Sequence, residues 1–264
     1  MATKTKQAKP EAPTVSVTVA KFDTMEPFSV VRDGPIGEFE TLAPGDYSPR
    51  GGTPLLDATA KIVSHLDRAR AKGTITIGLL LDESGSMEGN QQAVVQGVNE
   101  FVGGMADVDS PDPEAAGKVL CVIFTDGYEN SSTEMTSDKL REMIDQRERD
   151  GWTFIYMGAN QDAWATGRAM GLSGHATGQT INYHASERGT AAALGTLRET
   201  GVAYVDDNAL YIKMASSGSI SEDGEVTPEN TAAPGSSVKL PPIVESTSPY
   251  DLGEALKKAK GEED

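Results

Sequence analysis

The residues best suited to bind a ligand or to take part in a reaction lie in one short segment, Asp82-Glu83-Ser84-Gly85-Ser86, which follows an apolar run. That run, Thr74–Leu81, is continuous and rich in β-branched residues, as is typical of a buried strand inside a sheet. A strand that ends in Asp82, Ser84 and Ser86 presents carboxylate and hydroxyl oxygens at its carboxyl end. Because ligands of open α/β sheets bind at this edge, the segment predicts an oxygen-ligand site.

A second apolar run, Lys118–Phe124, ends in Thr125-Asp126-Gly127. If the two strands are parallel neighbours, Asp82 and Asp126 lie at the same edge of the sheet. Carboxylate and hydroxyl oxygens without His or Cys are the ligands of a hard cation such as Mg²⁺, Mn²⁺ or Ca²⁺. Two carboxylates balance a divalent charge, and neutral hydroxyls leave the ion able to accept one more anionic ligand from outside.

An alternation of strand and helix patterns surrounds these residues and predicts an α/β fold, with helices on both faces of a mostly parallel central sheet. Apolar runs predict further strands at Val15–Phe22, Phe28–Arg32 and Trp152–Met157. Helical spacing predicts helices at Leu55–Arg70, from about Asn90, at Ser137–Arg149, and in the ranges 162–170 and 186–199. Thr53 as N-cap and Pro54 at the first helical position are typical start signals for the first of these helices.

Composition limits the partners and the compartment. The net charge of −17 argues against nucleic acid and anionic membrane surfaces as partners, because phosphate binding requires a basic footprint. The single cysteine, Cys121, lies within an apolar run and is expected to be a buried hydrophobe. No apolar run has membrane-spanning length, and the first residues do not resemble a secretory signal. We therefore expect a soluble, cytoplasmic protein.

Composition also divides the chain into three parts. Residues 1–13 are expected to form a disordered leader, and residues 14–204 a single α/β domain. Residues 205–264 are rich in Ser, Pro, Gly and acidic residues, and such a composition predicts a flexible, acidic tail.

The motifs resemble those of the von Willebrand factor A (vWA) domain and its metal-ion-dependent adhesion site. The resemblance rests on Asp82-x-Ser84-x-Ser86 after one strand, Thr125-Asp126-Gly127 after another, and Gly52-Thr53 before a helix. The segments YSPRGGTPLLDA, FTDGYENSS and FIYMGANQDA are similar to a group of bacterial and phage vWA proteins. The similarity covers roughly Val15 to Leu197. For a phage protein the location would be the host cytoplasm or the virion.

The resemblance implies a divalent ion, with Mg²⁺ as the first candidate, held by Ser84, Ser86 and Thr53. Asp82 and Asp126 would act directly or through water, and water or a partner's Asp or Glu would take the sixth position. One departure from the family is that the threonine loop precedes the Asp-x-Ser-x-Ser strand instead of following it. No threonine lies between Ser86 and Thr125, so Thr53 is the natural donor. The alternative is that Thr53 caps its helix and the site lacks one ligand.

The favoured function is a metal-dependent protein-binding module, not an enzyme. A bacterial or phage structural or assembly protein is a second possibility. A Mg²⁺-dependent phosphoryl-transfer enzyme or a serine hydrolase is a third, but the chain has neither a G-x-x-x-x-G-K-[ST] phosphate loop nor a G-x-S-x-G elbow. Two nearby acids are expected to play minor roles, Asp57 as a helix-dipole or supporting group and Glu129 as a solvated side chain.

Overall fold

The computed structural model describes residues 13–108, 111–159, 166–167, 169–170, 178–206 and 218–228. Its strands are β1 (Thr14–Phe22), β2 (Ser29–Pro35), β3 (Thr74–Asp82), β4 (Val119–Thr125), β5 (Trp152–Ala159), β6 (Gly178–Tyr183), β7 (Gly218–Ile220) and β8 (Val226–Pro228). Its longer helices are α1 (Leu55–Ala69), α2 (Gln91–Ala106), α3 (Ser137–Arg149) and α4 (Glu187–Val205).

The strands form one sheet in the order β2-β1-β3-β4-β5-β6-β7-β8. Neighbours from β1 to β7 are parallel, whereas β2 pairs with β1 in the antiparallel direction. This is a Rossmann-like α/β fold, and the predicted fold class is confirmed. In the register of the sheet Phe22 lies opposite Asp82, and Leu81 lies opposite Phe124. The carboxyl ends of β1, β3 and β4 therefore meet at one edge.

Alternating side chains of the buried strands point to opposite faces of the sheet and form two separate apolar cores, one on each face. Helices α2 and α4 cover one face, where Val98 and Leu194 pack with Ile77 and Leu79 of β3. Helices α1 and α3 cover the other, where Leu66 and Ile144 join the core. Among the described residues, no helix combines the length and the apolar character that are needed to cross a membrane.

Three short strands were not expected from the sequence. Strand β6 reads GQTINY and β7 reads GSI, so neither contains a continuous apolar run like those of β3 and β4. Strands β7 and β8 lie within the range 205–264, for which the sequence predicts a flexible tail, yet they extend the sheet beyond β6. The predicted leader up to residue 12, most of the predicted helix at 162–170, and residues 207–217 and 229–264 lie outside the described residues.

Two glycines of α2 provide a test of how α2 packs against α4. A methyl group at Gly97 would lie 2.5 Å from Leu194 Cδ1 and 2.6 Å from Leu194 Cβ, whereas one at Gly103 would meet nothing within 4 Å. We predict that Gly97→Ala lowers the free energy of unfolding by about 1–2 kcal/mol, because α4 must move away. Gly103→Ala is expected to raise it by about 0.5–1 kcal/mol through helix propensity. Equal effects in urea denaturation would contradict this contact between α2 and α4.

Candidate functional site

Asp82, at the end of β3, is fully buried, and protein donors hold both oxygens of its carboxylate. The backbone N–H of Ser84 donates to Oδ1 (2.8 Å), and the Thr125 hydroxyl donates to Oδ2 (2.5 Å). The Tyr47 hydroxyl donates to the Asp82 carbonyl oxygen. Because the Ser84 turn and the end of β4 each donate to one carboxylate oxygen, and Tyr47 holds the backbone, the orientation of the carboxylate is fixed before any ligand binds.

The two serines after Asp82 connect β3 to β4 through their hydroxyls. Ser86 Oγ donates to Asp126 Oδ1 (2.6 Å), and Ser84 Oγ lies 3.0 Å from Ser86 Oγ. The Ser84 hydroxyl also forms a hydrogen bond with the Asp82 carboxylate, so it links the two acids. The structure thus brings Asp82, Ser84, Ser86 and Asp126 into one group of oxygens, as the sequence predicts. Ser84 is buried, whereas Ser86 is exposed.

The loop that carries Thr53 lies against this group. The backbone N–H of Gly85 donates to the Gly51 carbonyl (3.1 Å). A methyl group at Gly127 would lie 2.6 Å from Thr53 Oγ1 and 3.4 Å from Asp82 Oδ2. The Thr53 hydroxyl and the Asp82 carboxylate therefore face the same point beside Gly127, even though the threonine loop comes first in the chain.

The prediction that Thr53 caps α1 is wrong. The N-cap residue is Pro54, and no side chain of the N-cap accepts a hydrogen bond. The free N–H groups of the first turn are instead satisfied from the loop after β4. Glu129 Oε2 accepts from Leu56 N (2.8 Å), and Ser132 Oγ accepts from Asp57 N (3.1 Å). In the described part of the chain the Thr53 hydroxyl has no hydrogen-bond partner, so it is available for another ligand.

Backbone N–H groups of the same loop in turn donate hydrogen bonds to a side chain of α1. Asp57 accepts from the backbone of Thr133 (2.8 Å), Met135 (2.7 Å) and Glu134 (3.1 Å). Asp57 therefore has a structural role that the sequence only outlined, as a supporting group.

Asn130 and Glu129 strengthen this link. Asn130 Oδ1 accepts from Thr53 N (2.9 Å), and Asn130 N donates to the Thr53 carbonyl (3.2 Å). Glu129 also accepts from the backbone of Ser131 (2.8 Å) and Ser132 (2.7 Å). The expectation that Glu129 is solvated is wrong, because its carboxylate caps two chain segments. The signal that could have revealed it is the run of Glu, Asn and Ser, all of which favour local side-chain to backbone hydrogen bonds.

The acids at this edge of the sheet fall into two electrostatic classes. Glu83 pairs with Lys21 (2.9 Å), and Asp23 pairs with Arg50 (2.7 Å). By contrast, the described residues contain no basic side chain that forms an ion pair with Asp82 or Asp126. The hydrogen-bond donors to these two carboxylates are neutral hydroxyl and amide groups. Their negative charge is therefore not compensated by the described part of the protein.

This imbalance is reflected in the proton affinity of both acids. Burial and, to a smaller extent, the charge of Asp126 raise the pKa of Asp82 to about 6, against the opposing effect of the donors Thr125 and Ser84. Burial also raises the pKa of Asp126. A divalent cation would favour the ionised form of both groups.

The donor set fits a hard cation and not a metal that prefers thiolate or imidazole ligands. Its atoms are carboxylate and hydroxyl oxygens, which suit Mg²⁺, Mn²⁺ or Ca²⁺. Among the described residues, no group of three or more His, Cys, Asp or Glu side chains is arranged to hold a metal ion. The candidate set has two carboxylates, and three hydroxyls complete it.

The link between α1 and the loop after β4 can be tested at Asp57. Asp57→Asn replaces a charged acceptor of three N–H groups by one neutral oxygen, so we predict a loss of about 2 kcal/mol in the free energy of unfolding. Glu134→Gln is the matched control, since Glu134 is exposed and its ion pair with Lys61 is long (3.9 Å). That change is expected to cost less than about 0.5 kcal/mol. Equal losses for the two variants would contradict the role of Asp57.

The buried charge of Asp82 predicts an unusual dependence of stability on pH. The folded pKa is about 6, above the ordinary value of 3.8, so the folded state keeps the Asp82 proton to higher pH than the unfolded state. Stability is therefore lost as the pH rises from about 4 to 6 in metal-free protein, by on the order of 2 kcal/mol relative to Asp82→Asn. Urea denaturation in EDTA at several pH values measures the difference. A constant difference between the two proteins would contradict the raised pKa.

Comparison with known proteins gives no relative from which a function could be inferred. No family model, no curated protein and no solved structure matches this chain. Fold class and site geometry are thus the available basis for a functional conclusion.

Proposed function

We propose that the chain is a metal-dependent protein-binding module of the vWA type. Asp82, Ser84, Ser86, Thr53 and Asp126 would hold Mg²⁺, or Mn²⁺ or Ca²⁺, and the bound ion would recruit an acidic residue of a partner protein. The observation that carries the proposal is the convergence of these oxygens from three separate segments around two carboxylates that lack a basic partner in the described part of the chain.

The residues of the chain have distinct tasks in this proposal. Thr125 and the backbone of Ser84 orient Asp82, so that little reorganisation is needed when an ion arrives. Ser84, Ser86 and Thr53 contribute neutral oxygens. When bound, the ion supplies positive charge that favours a carboxylate from outside. With two acidic groups in the set, a divalent ion is neutralised and one more anion remains acceptable.

The surroundings of the serine hydroxyls favour binding over catalysis. A serine nucleophile requires a general base within hydrogen-bond reach. In the described residues, the side-chain partners of Ser84 and Ser86 are each other and the carboxylates of Asp82 and Asp126, and none is His or Lys. Asp126 is oriented by Ser86, and the part of the chain that the structure describes places no third group against Asp126 of the kind that aligns a catalytic triad.

Isothermal titration with Mg²⁺ and Mn²⁺ tests the site. Asp82→Ala is expected to abolish measurable binding, because it removes half of the carboxylate charge and a fixed oxygen. Thr53→Val retains the shape of threonine without its hydroxyl and is expected to weaken binding at least tenfold, roughly the loss found for weakened metal sites.

Two variants serve as controls for this titration. Thr53→Ser restores a hydroxyl and should restore most of the affinity. Thr59→Val removes a buried hydroxyl of α1 that has no hydrogen-bond partner in the described residues, and it should leave binding unchanged. Unchanged binding in Asp82→Ala would end the proposal, whereas unchanged binding in Thr53→Val would remove Thr53 from the ligand set.

A further inference from the structure

The loops beside the candidate site expose large apolar side chains. In the described part of the chain three such side chains are exposed: Met25 (74%), Tyr128 (60%) and Val30 (38%). Single exposed apolar residues are common on protein surfaces and need no explanation by themselves. Two of these three, however, lie on the two loops that contact the threonine loop from either side.

The contacts around Gly52 define this arrangement. On one side, the Thr24 hydroxyl accepts from Gly52 N (3.0 Å). On the other side, a methyl group at Gly52 would lie 2.8 Å from Ser131 Oγ and 3.0 Å from Asn130 Oδ1. Gly52 is therefore held between the two loops. Met25 directly follows Thr24, and Tyr128 directly follows Gly127, the residue against which Thr53 packs.

Both loops are anchored, so the exposure of Met25 and Tyr128 is built into the structure. Asp23 is fully buried, and its carboxylate accepts from the backbone of Met25 (2.5 Å) and of Glu26 (2.6 Å). In the second loop, which follows Tyr128, the carboxylate of Glu129 accepts hydrogen bonds from the backbone N–H groups of Ser131 and Ser132. The backbone that carries each apolar side chain is thus already ordered by an adjacent acid, so binding does not require the loops to be ordered first.

A positive charge accompanies these side chains. Arg50 precedes Gly51 and is tied to Asp23, yet half of its side chain is exposed. Its charge is offset by Asp23 and by Glu26, whose Oε2 lies 3.6 Å from Nη2, but among the described residues the hydrogen bond of its guanidinium is the one from Nε to Asp23. The Nη groups of Arg50 can therefore donate hydrogen bonds to a carboxylate from outside.

We propose that Met25, Tyr128 and Arg50 form a selective rim, which accepts a segment of another protein where an acidic residue stands next to a large apolar residue. This inference rests on the proposed function, because the acidic residue would engage the metal ion. The apolar neighbour would be buried against Met25 or Tyr128, and Arg50 would add attraction for the carboxylate. Aromatic and methionine side chains are typical of the binding centre of protein interfaces.

A displayed peptide library tests the rim and the metal site separately. The probe is a library of hexapeptides with a fixed central Asp or Glu, randomised at the neighbouring positions and selected on the full chain in Mg²⁺. We expect enrichment of Leu, Ile, Phe or Trp beside the acid. In the double variant Met25→Ser/Tyr128→Ser, selected peptides should bind at least tenfold more weakly than to the unaltered chain. Their remaining binding should still require Mg²⁺ and the acid.

The control variant is Val30→Ser, since Val30 is an exposed apolar residue of the edge strand β2 and lies on neither loop. It should leave both affinity and preference unchanged. Acid-dependent binding without any apolar preference would overturn the rim while leaving the metal site intact. Binding that ignores Mg²⁺ and Asp82→Ala would overturn the proposed function itself. Mg²⁺-dependent dimerisation that is lost in the double variant would show a second copy as the occupant and overturn the inference.

Discussion

The candidate site depends on one reciprocal set of hydrogen bonds between the start of α1 and the loop after β4. Glu129 and Ser132 accept the free N–H groups of the first helical turn, and Asp57 accepts those of the loop in return. Each partner satisfies groups that would otherwise be left without hydrogen bonds, so neither segment can move without exposing buried polar atoms. This set of bonds places Thr53 beside Asp82, and no direct contact between the two is required.

Chain order matters little once these bonds exist. Thr53 precedes Asp82 by 29 positions in the sequence and Asp126 by 73. Its hydroxyl nevertheless faces the point beside Gly127 that the Asp82 carboxylate also faces. Ligation depends on where loops meet in space, and in a parallel sheet they meet at the carboxyl ends of neighbouring strands. A chain with the threonine loop ahead of its central strand can therefore build the same group of oxygens as one with the opposite order.

Sequence reasoning succeeded where a residue's environment is set by its own strand. The apolar runs of β3 and β4 marked buried neighbours, and Asp82 and Asp126 followed as a pair at their ends. It failed where the environment is set by a distant loop. Nothing local distinguishes Thr53 as a capping residue from Thr53 with a free hydroxyl, because the difference lies in Glu129 and Ser132, more than 70 positions away. Strand β6 was missed for a related reason, since its polar sequence forms a strand only by pairing with β5.

The distribution of positive charge at this edge sets Asp82 apart from the acids beside it. Lys21 and Arg50 neutralise Glu83 and Asp23, two buried acids that flank the Asp82 turn and the threonine loop. Because a buried, unpaired carboxylate destabilises a fold, pairing is the expected solution for every acid at this depth. Asp82 departs from it although a lysine pairs with the very next residue. A fold that needed only stability would be better served by an uncharged residue at Asp82. The retained charge, with donors already aimed at both oxygens, is the arrangement expected of a group whose partner is a cation from solution.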